Sequence, residues 1–355
     1  MHCVFSGESS VAAFSRFHRT ESSSSSRDIT MAKTNILAAA AALALGVSMS
    51  GTAHADAWAN AILNVTNFKL IKDVTTGTAF DYSDFTTLSF LDTATLNALS
   101  TGYAPASGGG NNNIIGLPLL PASVCSGPDC AKNPFSPGGP PASGYASSAG
   151  AALYGIPFSV AASAIPAGAT AQTAAFGEVM GGGIGNAGST LQLASSIVFK
   201  LNHGASTAGM SFDVTQVLKA WAAGPGLTSH ATAGNSLSFT LSDVDTGAEL
   251  FQWAPSGNTG TYGNLIVTAA GCNVNATAST VAPPAAPHDQ TKDCAGSYAA
   301  VLDAVLIGGH TYSLGITQTS KTQVDSPVPE PSSIMLTGLA LLGLGAVGAR
   351  RKRQA

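Results

Sequence analysis

The chain has 355 residues, 45% of them hydrophobic types and only 10% charged, with 40 glycines and 18 prolines, which is length enough to bury a sizeable core. Every arginine lies near an extremity, and the stretch from Asp56 to Val328 holds seven lysines against fifteen carboxylates, a formal charge of −8. An acidic body without guanidinium groups neither attracts nor reads a phosphate backbone, so nucleic acid is excluded and cations or neutral polymers remain as partners.

Residues 1–30, with serine at every position from Ser22 to Ser26, carry no structural pattern and read as a mis-called or disordered extension ahead of Met31. From there the chain has a basic n-region at Lys33, an apolar stretch from Ile36 to Val47, and a small-x-small site at Ala53-His54-Ala55. These three parts in that order predict a secretory signal peptide over 31–55, entered as a helix by the Sec translocase and cut before Asp56.

Beyond Asp56, apolar residues alternate with polar ones. Strands are predicted at Ile62 to Ile71, Thr86 to Leu91, Leu191 to Leu201, Met210 to Val217, Asn264 to Ala269, Ala299 to Ile307 and Thr311 to Thr317. The run "SLSFTLSDVDTGAELFQW" places Leu237, Phe239 and Leu241 on one face, turns at Asp243 to Gly247 and resumes at Leu250 to Trp253, a β-hairpin. Gly308-Gly309 predicts a second hairpin between the last two strands, and Phe212 to Trp221 admits a short helix as an alternative. Short strands joined by Gly- and Asn-bearing turns, without intervening long helices, predict an antiparallel β-sandwich or jelly roll. Its parts are an N-terminal β segment over 56–100, a Gly/Pro/Asn/Ser-rich loop over 101–150, the main sandwich over 151–320 and a spacer over 321–333.

Four cysteines remain after export, Cys125, Cys130, Cys272 and Cys294. In an oxidising compartment they form two disulfides; three connectivities are possible, and proximity favours Cys125 with Cys130 and Cys272 with Cys294. A zinc site is the alternative use, weakened by the Cys-x₄-Cys spacing and the lack of nearby histidines.

Gly183, Gly185 and Gly188 fit a dinucleotide fingerprint, but the following "STLQLASSIVFKL" alternates like a strand where that motif needs a helix. Asp245-Thr246-Gly247 matches the aspartic-protease loop only as a single copy, and suits a hairpin turn equally. Asp243, Asp245 and Glu249 offer hard oxygen ligands for Ca²⁺, though the rest of a calcium loop is missing. His203, His230, His288 and His310 are scattered and read as solvated loop residues. No pattern calls for a cofactor.

The chain closes with Pro329-Glu330-Pro331, then the uncharged run Ile334 to Ala349, then Arg350-Arg351-Lys352-Arg353. Sixteen helical residues span roughly 24 Å, short of the ~30 Å hydrocarbon core, so 334–349 is predicted as a brief transmembrane helix. The basic end over 350–355 stays cytoplasmic and holds the body outside. Pro-Glu-Pro, a short Leu/Gly-rich span and an Arg-rich end together resemble the PEP-CTERM sorting signal of Gram-negative bacteria. The resemblance implies that an exosortase, a membrane transpeptidase-like enzyme, reads Pro329, Glu330 and Pro331 and cuts near them, and that exopolysaccharide accompanies such systems. The stretches "ILNVTNFKL", "DTGAELFQWAPSG" and "GGHTYSLGITQTS" also resemble the EDSAAP-motif group of these proteins, whose namesake motif this chain lacks; no activity is implied by that likeness.

The expected protein is therefore an exported, exosortase-sorted component of the cell surface or extracellular matrix, structural or adhesive and without catalysis. One alternative is a polysaccharide-active hydrolase using two carboxylates from among Asp213, Asp243, Asp245 and Glu249. The other is a Ca²⁺- or carbohydrate-binding sandwich module.

Overall fold

A strand that alternates buried and exposed side chains needs a second sheet to cover its apolar face, and this sequence provides many such strands. In Gly209–Ala223, for example, Met210, Phe212, Val214 and Leu218 all point into the core, so the stretch that admitted a helix is a strand. The computed structural model describes residues 56–326 apart from 113–118, 128–129, 131–134, 136–144, 162–165, 180–184, 205–206, 224–228 and 282–287. The signal helix over 31–55 and the transmembrane helix over 334–349 lie outside the described residues. Among the described residues, no helix is long and apolar enough to cross a membrane.

Among the described residues, seventeen strands follow in chain order. They are β1 (Asp56–Asp73), β2 (Thr78–Ala79), β3 (Phe85–Ser100), β4 (Ala106–Asn112), β5 (Leu119–Ser126), β6 (Tyr145–Tyr154), β7 (Ala169–Val179), β8 (Gly185–Leu201) and β9 (Gly209–Ala223). Then come β10 (His230–Asp243), β11 (Ala248–Trp253), β12 (Gly260–Tyr262), β13 (Leu265–Ala269), β14 (Thr277–Val281), β15 (His288–Thr291), β16 (Cys294–Leu302) and β17 (Thr311–Ser326). One sheet runs β12-β13-β16-β9-β1-β7-β6-β5, with β15 beside β9 and β2 beside β1; the other runs β11-β10-β17-β8-β3-β4, with β14 beside β10. The ladders are antiparallel, and the two sheets form a sandwich.

The β10–β11 hairpin forms as read, with Phe239 opposite Trp253 and Leu241 opposite Phe251. The second predicted hairpin does not form. β16 ends at Leu302 and pairs with β13 and β9, whereas β17 pairs with β10 and β8 in the opposite sheet. Residues 303–310 instead carry the chain across the sandwich: Leu306 is buried in the core, and Ile307 N–H donates to Tyr312 Oη at 2.7 Å. The stretch read as a loop, 101–150, contains β4, β5 and β6 among its described residues, although β4 is the Gly-rich "ASGGGNN". Its ladder to β3 pairs the backbone groups along one edge without needing an apolar face.

Two of the buried clusters contrast, one towards each end of the sandwich, beside smaller ones around Leu96, Leu191 and Leu193 and around Trp58 and Phe176. Towards the β10–β11 turn the cluster is aromatic: Phe68, Phe212, Phe239, Trp253 and Tyr298 stack with ring centroids as close as 5.0 Å. Towards the other end, ten of the thirteen buried side chains in the cluster are alanine, Ala57, Ala59, Ala222 and Ala231 among them. Between these two clusters runs a buried polar belt. Asn235 Nδ2 donates to Ile62 O at 2.9 Å, Ser320 Oγ to Asn235 Oδ1 at 2.7 Å, and Gln318 Nε2 to Leu63 O at 2.7 Å and Thr173 Oγ1 at 2.9 Å. The belt ties β10 and β17 to β1 and β7 across the sandwich.

Candidate functional site

The carboxylates singled out from the sequence gather only in part. Asp243 ends β10, and its Oδ1 accepts the N–H groups of Asp245 (2.9 Å) and Thr246 (3.1 Å) while its carbonyl accepts Gly247 N–H (2.9 Å). Gly247, at φ +72°, supplies the left-handed residue that closes this turn. Asp243 Oδ2 meets His310 Nδ1 at 2.8 Å, and Asp245 Oδ2 accepts Thr311 N–H at 2.8 Å. Burial acts to raise the Asp243 pKa, but the His310 and backbone hydrogen bonds outweigh it and hold the group below the ordinary carboxylate value.

The ligand atoms of Asp243, Asp245 and His310 lie within 4.8 Å of one another, while Glu249 stands exposed on β11 and is not part of that group. The third member is therefore an imidazole contributed from 67 residues away, which spacing along the chain gave no means to find. An imidazole with two carboxylates is a poorer match to Ca²⁺, which prefers all-oxygen sites. The nitrogen donors already engaging both carboxylates make the group a brace that fixes the β10–β11 turn against the start of β17.

Asp213 is in the other sheet, on β9. Asn67 Nδ2 donates to its Oδ2 at 2.7 Å and Ser297 Oγ to its Oδ1, and these two hydrogen bonds lower its pKa. Asn67 itself sits at φ +54° in a β-bulge of β1, where the register to β7 and β9 shifts. Asp213 and the Asp243 turn thus belong to different sheets.

A carboxyl that the sequence reading passed over is buried. Asp92 on β3 faces Ser195 of β8, is 6% exposed, and has its pKa raised by desolvation against a smaller lowering from the Ser195 hydroxyl. It lines a cavity of about 50 Å³ with Phe90, Ile156, Ile316 and Gln318, whose Oε1 has no partner among the described residues. That volume accommodates a few waters and falls well short of the several hundred Å³ of an ordinary ligand pocket. The missed signal was positional: in Leu88, Phe90, Asp92, Ala94 and Leu96, the aspartate occupies an inward position of a period-two run.

Both disulfides pair neighbours, Cys125 with Cys130 and Cys272 with Cys294. Gly185 and Gly188 fall in β8, a strand, so no helix follows the glycine pattern to receive a pyrophosphate. Asp56 opens β1, while Ala53, Ala55, Pro329, Glu330, Pro331, Arg350, Arg351, Lys352 and Arg353 lie outside the described residues.

β17, the central strand of its sheet, is paired on both sides almost to its last residue, with Asp325 opposite His230 and Ser326 opposite Gly185. The body is thus tied in up to the residue where the tail begins. Residues 327–354 of that tail match the model of the PEP-CTERM protein-sorting motif. The chain carries a PEP-CTERM sorting signal. The motif implies an exported protein, membrane-anchored during sorting and processed by an exosortase. No curated protein and no solved structure gives a significant match to the chain.

Proposed function

We propose that this PEP-CTERM protein is a structural or adhesive component of the cell surface or extracellular matrix, released from its membrane tail near Pro329-Glu330-Pro331 and performing no catalysis. The observation that carries the reading is the junction of tail and body: the sorting motif begins directly after a central strand paired on both sides almost to its end, so cutting there leaves an intact sandwich. Two disulfides and an acidic, arginine-free body suit an oxidising exterior and a neutral or cationic matrix. Against the hydrolase alternative, Asp243 and Asp245 are held by backbone donors, and Asp213 belongs to the opposite sheet.

The test replaces Arg350, Arg351, Lys352 and Arg353 with serine in the producing cell. Unprocessed protein should accumulate or mislocalise; normal maturation of this variant would contradict the sorting role. Release of reducing sugar from matrix polysaccharide by the purified mature protein would contradict the non-catalytic part alone.

A further inference from the structure

The two ends of the exported body meet at one end of the sandwich. Asp56, the expected first residue after signal cleavage, opens β1 opposite Ala223, and the next residue, Ala57, pairs with Val179. Ser326, the last described residue before the sorting motif, pairs with Gly185. Ala57, Val179, Ala187, Ala231 and Val324 belong to one buried cluster, which places these termini together at the alanine-packed end although they come from different sheets.

Only the seven residues 327–333 separate Ser326 from the apolar run that starts at Ile334, a reach of at most ~25 Å. β17 has 16 residues, so its two ends are about 50 Å apart. The tether therefore holds the alanine end near the bilayer, and an upright body lifts the aromatic end beyond it. A signal peptide still attached at Asp56 would pull on the same end. Each hydrophobic segment has its cations on the cytoplasmic side, Lys33 for one and Arg350 to Arg353 for the other, so the two segments agree on where that end must face.

We infer that the precursor stands end-on to the membrane, and that the rim of the alanine end, carrying the exposed Leu99, Tyr103 and Val281, is the surface that meets the phospholipid headgroups until the tail is cut. The opposite tip, with Val244, Val305 and Ile307 exposed around the Asp243 turn, faces outward. Apolar side chains are exposed at both ends, so it is the shared position of the chain termini, and not hydrophobicity, that selects the membrane-facing one. The inference rests on the proposed membrane-held precursor.

The experiment reconstitutes the full chain into vesicles of phosphatidylethanolamine and phosphatidylglycerol, with a photo-crosslinking residue in place of Leu99, Tyr103 or Val281, and in separate samples in place of Val244, Val305 or Ile307. Flotation with the vesicles reports insertion of a terminal hydrophobic segment, the tail or the signal segment, independently of orientation. In the floating fraction, lipid adducts from the first three positions should exceed those from the second three by roughly tenfold or more, because the far tip lies beyond contact. Comparable yields from both sets describe a body lying on its side and overturn the end-on arrangement while leaving the sorting reading intact; an excess from the far tip overturns it as well. A chain that does not float overturns the membrane-held precursor, and the orientation with it.

Discussion

The two halves of the sandwich solve the same problem with opposite means. In the aromatic half, Phe212, Phe239, Trp253 and Tyr298 pack ring against ring, and burial of large rings supplies the cohesion. In the alanine half the side chains contribute little area, and the sheets approach until backbone meets backbone. A Cβ at Gly177 of β7 would lie 3.2 Å from Ala187 O and from Thr322 Oγ1 of the facing sheet. Ser189 Oγ bridges the same gap, accepting from Phe176 N–H and donating to Phe176 O, both at 2.9 Å, and Ser147 Oγ donates to Gly188 O. One half is held by volume and the other by proximity, so each should be most sensitive to a different class of mutation.

Truncation should hurt most where volume does the holding. Phe239→Ala, which removes a ring packed on Phe68, Phe212 and Trp253, is expected to cost about 3–5 kcal/mol in urea unfolding. Removing the Cys272–Cys294 link, by Cys272→Ser with Cys294→Ser, frees a 22-residue separation near the aromatic half and should cost roughly 3 kcal/mol on the chain-entropy model. Enlargement should hurt where the sheets nearly touch. Ala59→Leu or Ala231→Leu is expected to cost about 1–3 kcal/mol by overpacking, and an increase in stability from either would refute the close-approach description of that half.

The smallest effect belongs to the buried acid beside the cavity. Because burial raises the Asp92 pKa, the folded state holds its proton to higher pH than the unfolded state does. Its stabilising contribution is therefore complete below the unfolded value and is lost as pH rises towards the folded one. Asp92→Asn should leave the urea midpoint near pH 4 almost unchanged and raise it at pH 7, measured on the same protein preparation. A midpoint lowered at pH 7 would show the carboxylate to be satisfied in its ionised form.

What could be read in advance follows this division. β9 and the β10–β11 hairpin were legible because Phe212, Val214, Leu237, Phe239 and Trp253 advertise a period-two apolar face. β4 was not, since Gly108 to Gly110 join a ladder through backbone groups that leave no mark on side-chain pattern. The alanine core was hidden for a related reason: Ala is common in loops and helices as well as strands, and only register shows that these alanines face one another. Gly308-Gly309 misled because a tight turn looks the same whether it returns to its own sheet or crosses to the other. The Asp243–His310 contact depends on that crossing and had no local signal, whereas the alternation around Asp92 carried one that went unused. Both cysteine pairings agreed with simple proximity. The tail was legible without any fold, because its address is written in residue order alone.

The most direct test of export and processing is the intact mass of the protein recovered from the producing cell. Expected is a secreted species that begins at Asp56, ends close to Pro329-Glu330-Pro331 and has all four remaining cysteines oxidised. A full-length polypeptide in the cytoplasm, with both hydrophobic segments present and its thiols free, would contradict it.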